Sequence, residues 1–158
     1  MGVRPFEERD LLPTLQVWHA SKQAAYPYLP LEQGRTLEED RAFFEAAILP
    51  RCALWVATCP EVVGFLAFAG SYLDRLYVHP ERQGRGVGSA LLSQARRLSP
   101  AGLELHTHQA NAQARRFYER HGFEVVELGI SPPPECVPDV RYRLRPSPLS
   151  APAAPPSS

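Results

Sequence analysis

A strand, a glycine-rich turn and the first turns of a helix follow one another in Leu76-Tyr77-Val78-His79-Pro80-Glu81-Arg82-Gln83-Gly84-Arg85-Gly86-Val87-Gly88-Ser89-Ala90-Leu91-Leu92. The apolar run into Val78 stops at His79-Pro80. Val87, Leu91, Ala95 and Leu98 then recur at helical spacing until Pro100 and Gly102. Glycines at 84, 86 and 88 let successive backbone N–H groups converge on one anion, and the positive end of the helix adds to the attraction. Two nucleotide loops fail on spacing. A dinucleotide fingerprint needs a glycine where Ser89 stands, and a Walker loop needs a Gly-Lys pair, whereas the only lysine is Lys22.

Downstream of this unit, Leu103–His108 alternates as a strand. Asn111 caps a helix through about His121, with Ala114, Phe117 and His121 turned inward, and Gly122 with Phe123 forms its left-handed C-cap. Glu124–Leu128 and Val140–Arg145 read as two further strands. Upstream, Val3–Glu8 is a short strand and Asp10 caps a helix to about Ala25, with Leu11, Leu15, Trp18 and Lys22 on one face. Tyr26–Gly34 is a loop. Thr36 and Glu39 form a capping box for a second helix to Leu49, with Phe43, Ala46 and Ala47 as its apolar stripe. Ala53–Thr58, Val62–Ala69 and Tyr72–Val78 are three consecutive strands joined by short turns. The order predicts one α/β domain over residues 1–145, a mixed sheet with helices on its faces. Residues 146–158 contain Pro, Ser, Ala and one Leu without a charge, which predicts a disordered tail.

With 158 residues, 44% hydrophobic and 22% charged, the chain has the composition of a soluble globular protein and excludes collagen, coiled coil and wholesale disorder. The longest charge-free apolar stretch, 62–73, is too short for a membrane helix, and Arg4, Glu7, Glu8, Arg9 and Asp10 interrupt any signal-peptide core. Cys52, Cys59 and Cys136 have no metal-ligand spacing, which reads as free thiols in a reducing cytoplasm. His106 and His108 share a strand face but no third ligand accompanies them, so no metal is expected. Formal net charge is zero, yet residues 75–121 hold eight arginines against Glu81, Glu104 and Glu119. Positive charge concentrated on this segment points to an anionic partner. Zero net charge and the lack of a recognised binding motif speak against nucleic acid.

Gln83-Gly84-Arg85-Gly86-Val87-Gly88 resembles the [RQ]xxGx[GA] signature of the GNAT superfamily of N-acetyltransferases, which use acetyl-coenzyme A. Asn111 through Ala114, Phe117-Tyr118-Glu119 and Gly122-Phe123 resembles the second motif of that family at the right separation. The resemblance implies the GNAT fold: a mixed, mostly antiparallel sheet flanked by helices on both faces and splayed between its fourth and fifth strands. It further implies that the amides around Gly84, Arg85, Gly86, Val87, Gly88 and Ser89 hold the pyrophosphate, with Gln83 beside them. The pantetheine arm would run along Leu76, Tyr77 and Val78, with Asn111 and Ala114 on the far wall and the Val78 N–H as an oxyanion donor. Tyr118 would protonate the leaving thiolate, because a phenol stays protonated at neutral pH.

The general base is open on the sequence alone. Asp74 is the first candidate, and His79, His106, His108 or a water chain are the alternatives. The implied activity moves an acetyl group from acetyl-CoA to a primary amine, on a small molecule or on a peptide or protein, by direct attack in a ternary complex. The competing reading is a non-catalytic module that senses acyl-CoA on the same fold. Tyr26, Tyr28, Leu29 and Leu31, with Glu32, Glu38, Glu39 and Asp40 nearby, would suit an amine on an apolar body. The long connection 131–138 departs from the simplest family pattern, which weakens the transfer of the acceptor from a better-known relative. Nothing in the sequence decides between monomer and homodimer.

Overall fold

In the computed structural model, which describes residues 1–146, seven strands form one sheet in the order β1-β2-β3-β4-β5-β7-β6. They are β1 (Gly2–Pro5), β2 (Ala53–Thr58), β3 (Val62–Ala69), β4 (Tyr72–Val78), β5 (Leu103–His108), β6 (Glu124–Ile130) and β7 (Pro138–Leu144). Only β4 and β5 run parallel, and helix α3 (Val87–Leu98) makes the crossover that parallel neighbours require. Helices α1 (Leu11–Ala25) and α2 (Leu37–Phe43) cover one face, where Leu15, Trp18, Phe44 and Ile48 pack on Val56 and Phe65. The other face carries α3 and α4 (Ala112–Arg120), where Leu91, Leu92 and Tyr118 pack on Leu66, Leu105 and Tyr142. The mixed, mostly antiparallel sheet with helices on both faces is as expected. The predicted tail, apart from Pro146, lies outside the described residues.

The expected splay is present and has two local causes. The β4–β5 ladder consists of a single pair, Tyr72 with Glu104, whereas β5 pairs with β7 along its whole length. Beyond Tyr72, then, β4 has no ladder partner on its β5 side. On the β3 side, Ala67 pairs with Arg75 and Phe68 with Leu73, so Asp74 is the extra residue of a bulge. A bulge bends a strand and re-aims its side chain. The alternation that would have put Asp74 on the face of Leu76 and Val78 is broken there.

Four local readings of the sequence need correction. Asp10 does not cap α1. It is nearly fully buried, accepts the Glu7 N–H at 2.8 Å and pairs with Arg4 at 2.7 Å, closing a short 3-10 turn that precedes the helix. The inward stripe of the second helix is Phe44 and Ile48, with Phe43 and Ala46 exposed. The helix widens to a π-helical segment over Phe44–Ile48. Strand β1 ends earlier than expected, and β6 runs two residues longer, to Ile130.

Asp40, read from sequence as a residue available to an amine substrate, is instead sealed in the protein. Its carboxylate meets Lys22 Nζ at 2.6 Å, Arg35 Nε at 2.7 Å and His19 Nδ1 at 2.8 Å. Lys22, also buried, lies 3.2 Å from Glu32 and 3.8 Å above the Trp18 ring. Burial pushes the Asp40 carboxyl up, but the hydrogen bonds from Lys22 and His19, the Lys22 charge and the Arg35 hydrogen bond together outweigh it and leave the group below its ordinary range. This cluster ties α1, the following loop and α2 together. Asp40→Asn leaves the Lys22 ammonium buried without its main counter-charge and should lower stability by about 3–5 kcal/mol in urea unfolding. Because the folded-state group titrates lower than the unfolded one, the gap between wild type and variant should be full near neutrality. It should close as pH falls through the carboxylate range.

Candidate active site

Where β4 and β5 part, a cleft of about 680 Å³ opens between them and α4. The strand side is Asp74, Leu76, Tyr77 and Val78, and the loop side is Gln83, Gly84, Gly86, Gly88 and Ser89. Asn111, Ala114 and Tyr118 come from α4 and its cap. All of these were expected from the sequence. Arg85 and Val87 are the two expected residues that do not line the cleft. The Val87 side chain is buried in the core, so only its backbone can face an anion. Gly84 and Gly86 have φ of 75° and 83°, a region that L side chains disfavour, and Gly86 is the N-cap of α3. Gly88 matters for packing instead. A Cβ there would stand 3.2 Å from the Phe117 ring, so its absence lets α4 close on α3.

The polar groups of the cleft are individually fixed. His79 donates its backbone N–H to Val63 on β3 at 2.8 Å, so Val78, one residue earlier in an extended strand, presents its N–H to the open side. The Val78 carbonyl on that side is taken by Ser21 Oγ at 2.8 Å and Gln83 Nε2 at 3.1 Å. Asn111 Oδ1 accepts the Ala114 N–H at 3.1 Å, which makes it the expected N-cap. Tyr118 is almost fully buried, and burial, with smaller contributions from Tyr77 and Tyr72, pushes its phenol well above the ordinary range. His121 is not simply a core side chain. Its Nδ1–H donates to the Phe117 carbonyl at 2.8 Å and its Nε2 accepts from Ser89 at 3.0 Å, bracing the start of α3 against the end of α4.

A second cleft, of about 790 Å³, lies on the α1 side. Tyr26, Asp74, Arg75, Tyr77, His106 and Thr107 line both clefts, so the two meet at the splay. Asp74 brings a buried Oδ2 without a hydrogen-bond partner to this junction, with Arg75 Nη1 3.7 Å away. Of the alternative bases, His106 stands at the junction with its Nδ1 2.7 Å from the Tyr72 hydroxyl. His108 lines the second cleft only, and His79 lines neither, its Nδ1 accepting the Glu81 N–H at 3.1 Å. Sequence reasoning missed Arg116 and Arg120 as lining residues, and placed Tyr26 on the acceptor side alone, whereas it lines both clefts. Arg116 and Arg120 recur four apart with Gln113 and Phe117 on neighbouring positions, a pattern that was legible as one helix face. Tyr26 owes its position to a hydrogen bond with Tyr77, 51 residues away, at 3.0 Å.

Among the described residues no group of three or more His, Cys, Asp or Glu can hold a metal, and no helix is long and apolar enough to cross a membrane.

A glycine-lined anion cradle at a helix start, opening into a split between parallel strands, defines an α/β protein whose cleft suits a phosphorylated ligand with an extended arm. The comparisons agree. Residues 50–125 match the model of the Acetyltransferase (GNAT) domain. The peptidyl-lysine N-acetyltransferase YjaB of Salmonella typhimurium is 34% identical over 114 residues, covering 71% of this chain and 75% of the relative. The solution structure of apo YjaB from Escherichia coli superposes with a TM-score of 0.73 at 24% identity, over 92% of this chain and 98% of that one. The structure of yncA from Salmonella typhimurium with acetyl-CoA gives a TM-score of 0.67 at 20% identity, over 100% and 99% of the two chains. The chain belongs to the GNAT family of acetyltransferases and is an N-acetyltransferase.

Gly86→Asp tests the cradle. Acetyl-CoA should raise the melting temperature of the wild type, because it binds the folded cleft alone. The variant, with a strained backbone and a negative charge at the helix start, should show no such shift.

Proposed function

We propose that the protein transfers the acetyl group of acetyl-CoA to the side-chain amine of a lysine in a peptide or protein, by direct attack in a ternary complex. The observation that carries this reading is the meeting of the two clefts at Tyr26, Asp74, Arg75, Tyr77, His106 and Thr107, because a donor and an acceptor must touch at one point. Relatives named as peptidyl-lysine N-acetyltransferases support the acceptor class.

Acetyl-CoA supplies a thioester, whose carbonyl carbon takes the nucleophile and whose sulfur leaves. The amides from Gly84 to Ser89 hold its phosphates, and Arg116 and Arg120 on α4 add positive charge to the same cleft. The Val78 N–H, free on the open side of β4, donates to the carbonyl oxygen as negative charge develops there. Asp74, with its unpartnered oxygen at the junction, draws the acceptor ammonium to the reaction point. As the new C–N bond forms and the C–S bond breaks, Tyr118 gives its proton to the departing sulfur. The burial that raises the Tyr118 phenol also disfavours a charged thiolate in the same cleft, which favours transfer of the proton to it. A module that only sensed acyl-CoA would need neither the second cleft nor a buried phenol in the first.

Tyr118→Phe keeps the ring in its packing against Phe117 and Phe123 and removes only the proton. Turnover with acetyl-CoA and a lysine peptide should fall on the order of 10²-fold, while the dissociation constant for acetyl-CoA stays as in wild type. Product identification by mass, as an acetyl group on the lysine side chain, checks the acceptor class in the same experiment.

A further inference from the structure

Among the described residues five carboxylates line the second cleft, and four of them stand beside a basic side chain. Glu32 lies 3.2 Å from Lys22, Asp74 3.7 Å from Arg75, Glu127 3.5 Å from Arg141 and Glu135 3.0 Å from His108. The fifth is Asp139, near the start of β7. The residue is only 8% exposed, and among the described residues no hydrogen bond or ion pair reaches its carboxylate. Its backbone is held, with the carbonyl accepting from Gln109 Nε2 at 3.0 Å.

The surroundings of Asp139 explain both its placement and the missing partner. It faces Gly129 in the β6–β7 ladder, and both residues line the cleft. A Cβ at Gly129 would stand 3.2 Å from Asp139 Oδ1, so the glycine opens the space in which the carboxylate lies. On the other side the ladder sets Asp139 opposite His108. That imidazole has no N–H to spare, because its Nδ1 is 2.9 Å from the Tyr28 hydroxyl and its Nε2 is 3.0 Å from Glu135. Lys22 and Arg35 are drawn to Asp40, and Arg141 to Glu127 and Glu104. A carboxylate withdrawn from water without a counter-charge is unfavourable, and a cation carried in by a ligand relieves it.

This group is set apart from the point of reaction by a definite step. His106 stands at the junction of the clefts, and Asp139 lies one strand over and two residues further on, roughly 8 Å away by ordinary strand spacings. Burial above all, then the charges of Asp74 and Asp139, push the Tyr72 phenol up, so both carboxylates act on the same part of the cleft. In an extended peptide, side chains two residues apart point the same way and are about 7 Å apart. The two separations match.

We propose that Asp139 is a second cation subsite, which selects acceptor peptides carrying a basic residue two positions from the acetylated lysine. Asp74 draws the reacting ammonium to the junction, and Asp139 takes the neighbouring positive charge without touching the reacting atoms. The inference rests on the reading of the second cleft as the acceptor site.

Peptides with a blocked N-terminus and a single lysine test it, with either arginine or citrulline two residues before or after that lysine. Citrulline keeps the shape of arginine and removes its charge. With wild type at low salt, the arginine peptide of the preferred direction should have a KM roughly 10-fold below that of its citrulline twin, at equal kcat. In Asp139→Asn, which keeps the size of the side chain beside Gly129, the two KM values should become equal. Asp139→Ser, smaller and uncharged, is read in the same way if the first variant does not fold. Equal KM values for arginine and citrulline peptides in wild type would overturn the subsite without any variant, and so would an arginine preference that survives the loss of Asp139. In either case acetylation of both peptides leaves the acceptor reading standing and the subsite alone falls. If wild type acetylates no peptide lysine, the acceptor reading falls and the subsite with it.

Discussion

One pair of residues, Tyr72 and Glu104, is all that joins the β4 and β5 ladders, and the cleft exists because the ladder goes no further. Backbone groups on the facing edges of two strands ordinarily satisfy each other. Here β5 is saturated by β7 along its length, while β4 is held by β3 on its other edge, so each half of the sheet is anchored independently of the gap. The side chains of Ser21 and Gln83 take the Val78 carbonyl that a β5 partner would have taken. An open edge that is internally supported in this way can accept an extended ligand without first breaking the sheet.

The charge distribution divides along the same line. On the α3–α4 side, glycine amides, the helix start and Arg116 and Arg120 face the donor cleft and suit a polyanion. On the α1 side, positive and negative groups are interleaved, and several of them are spent on one another, as in the Lys22–Asp40–Arg35 cluster. That cluster ties down the segment from Tyr26 to Arg35, and so holds one wall of the second cleft in place.

Most of the lining of the first cleft was legible in sequence, because its information is local. Gly84, Gly86 and Gly88 are two residues apart, and Tyr118 lies seven after Asn111 on a single helix, so spacing alone places them on one surface. Of the residues read from sequence as suiting the acceptor, only Tyr26, Leu31 and Glu32 line the second cleft, because the rest of it is assembled from long-range contacts. Tyr28 meets His108 across 80 residues, and His108 meets Glu135 from a connection whose prolines said only that it was stiff. Asp74 was legible as a candidate, but its placement depends on a bulge that pairing registers reveal and alternation does not. Likewise, a capping signature at Asp10 was outcompeted by the Arg4 ion pair, which no local pattern announces.

The central claim is that donor and acceptor occupy two clefts that join at the splay. A conjugate in which the sulfur of coenzyme A is linked covalently to the side-chain nitrogen of a lysine peptide would span both, and its affinity can be set beside those of coenzyme A and the peptide alone by calorimetry. If the clefts join, linking the two ligands makes the second contact intramolecular, and the conjugate should bind at least about 10²-fold more tightly than coenzyme A. An affinity equal to that of coenzyme A, with the peptide portion contributing nothing, would contradict it.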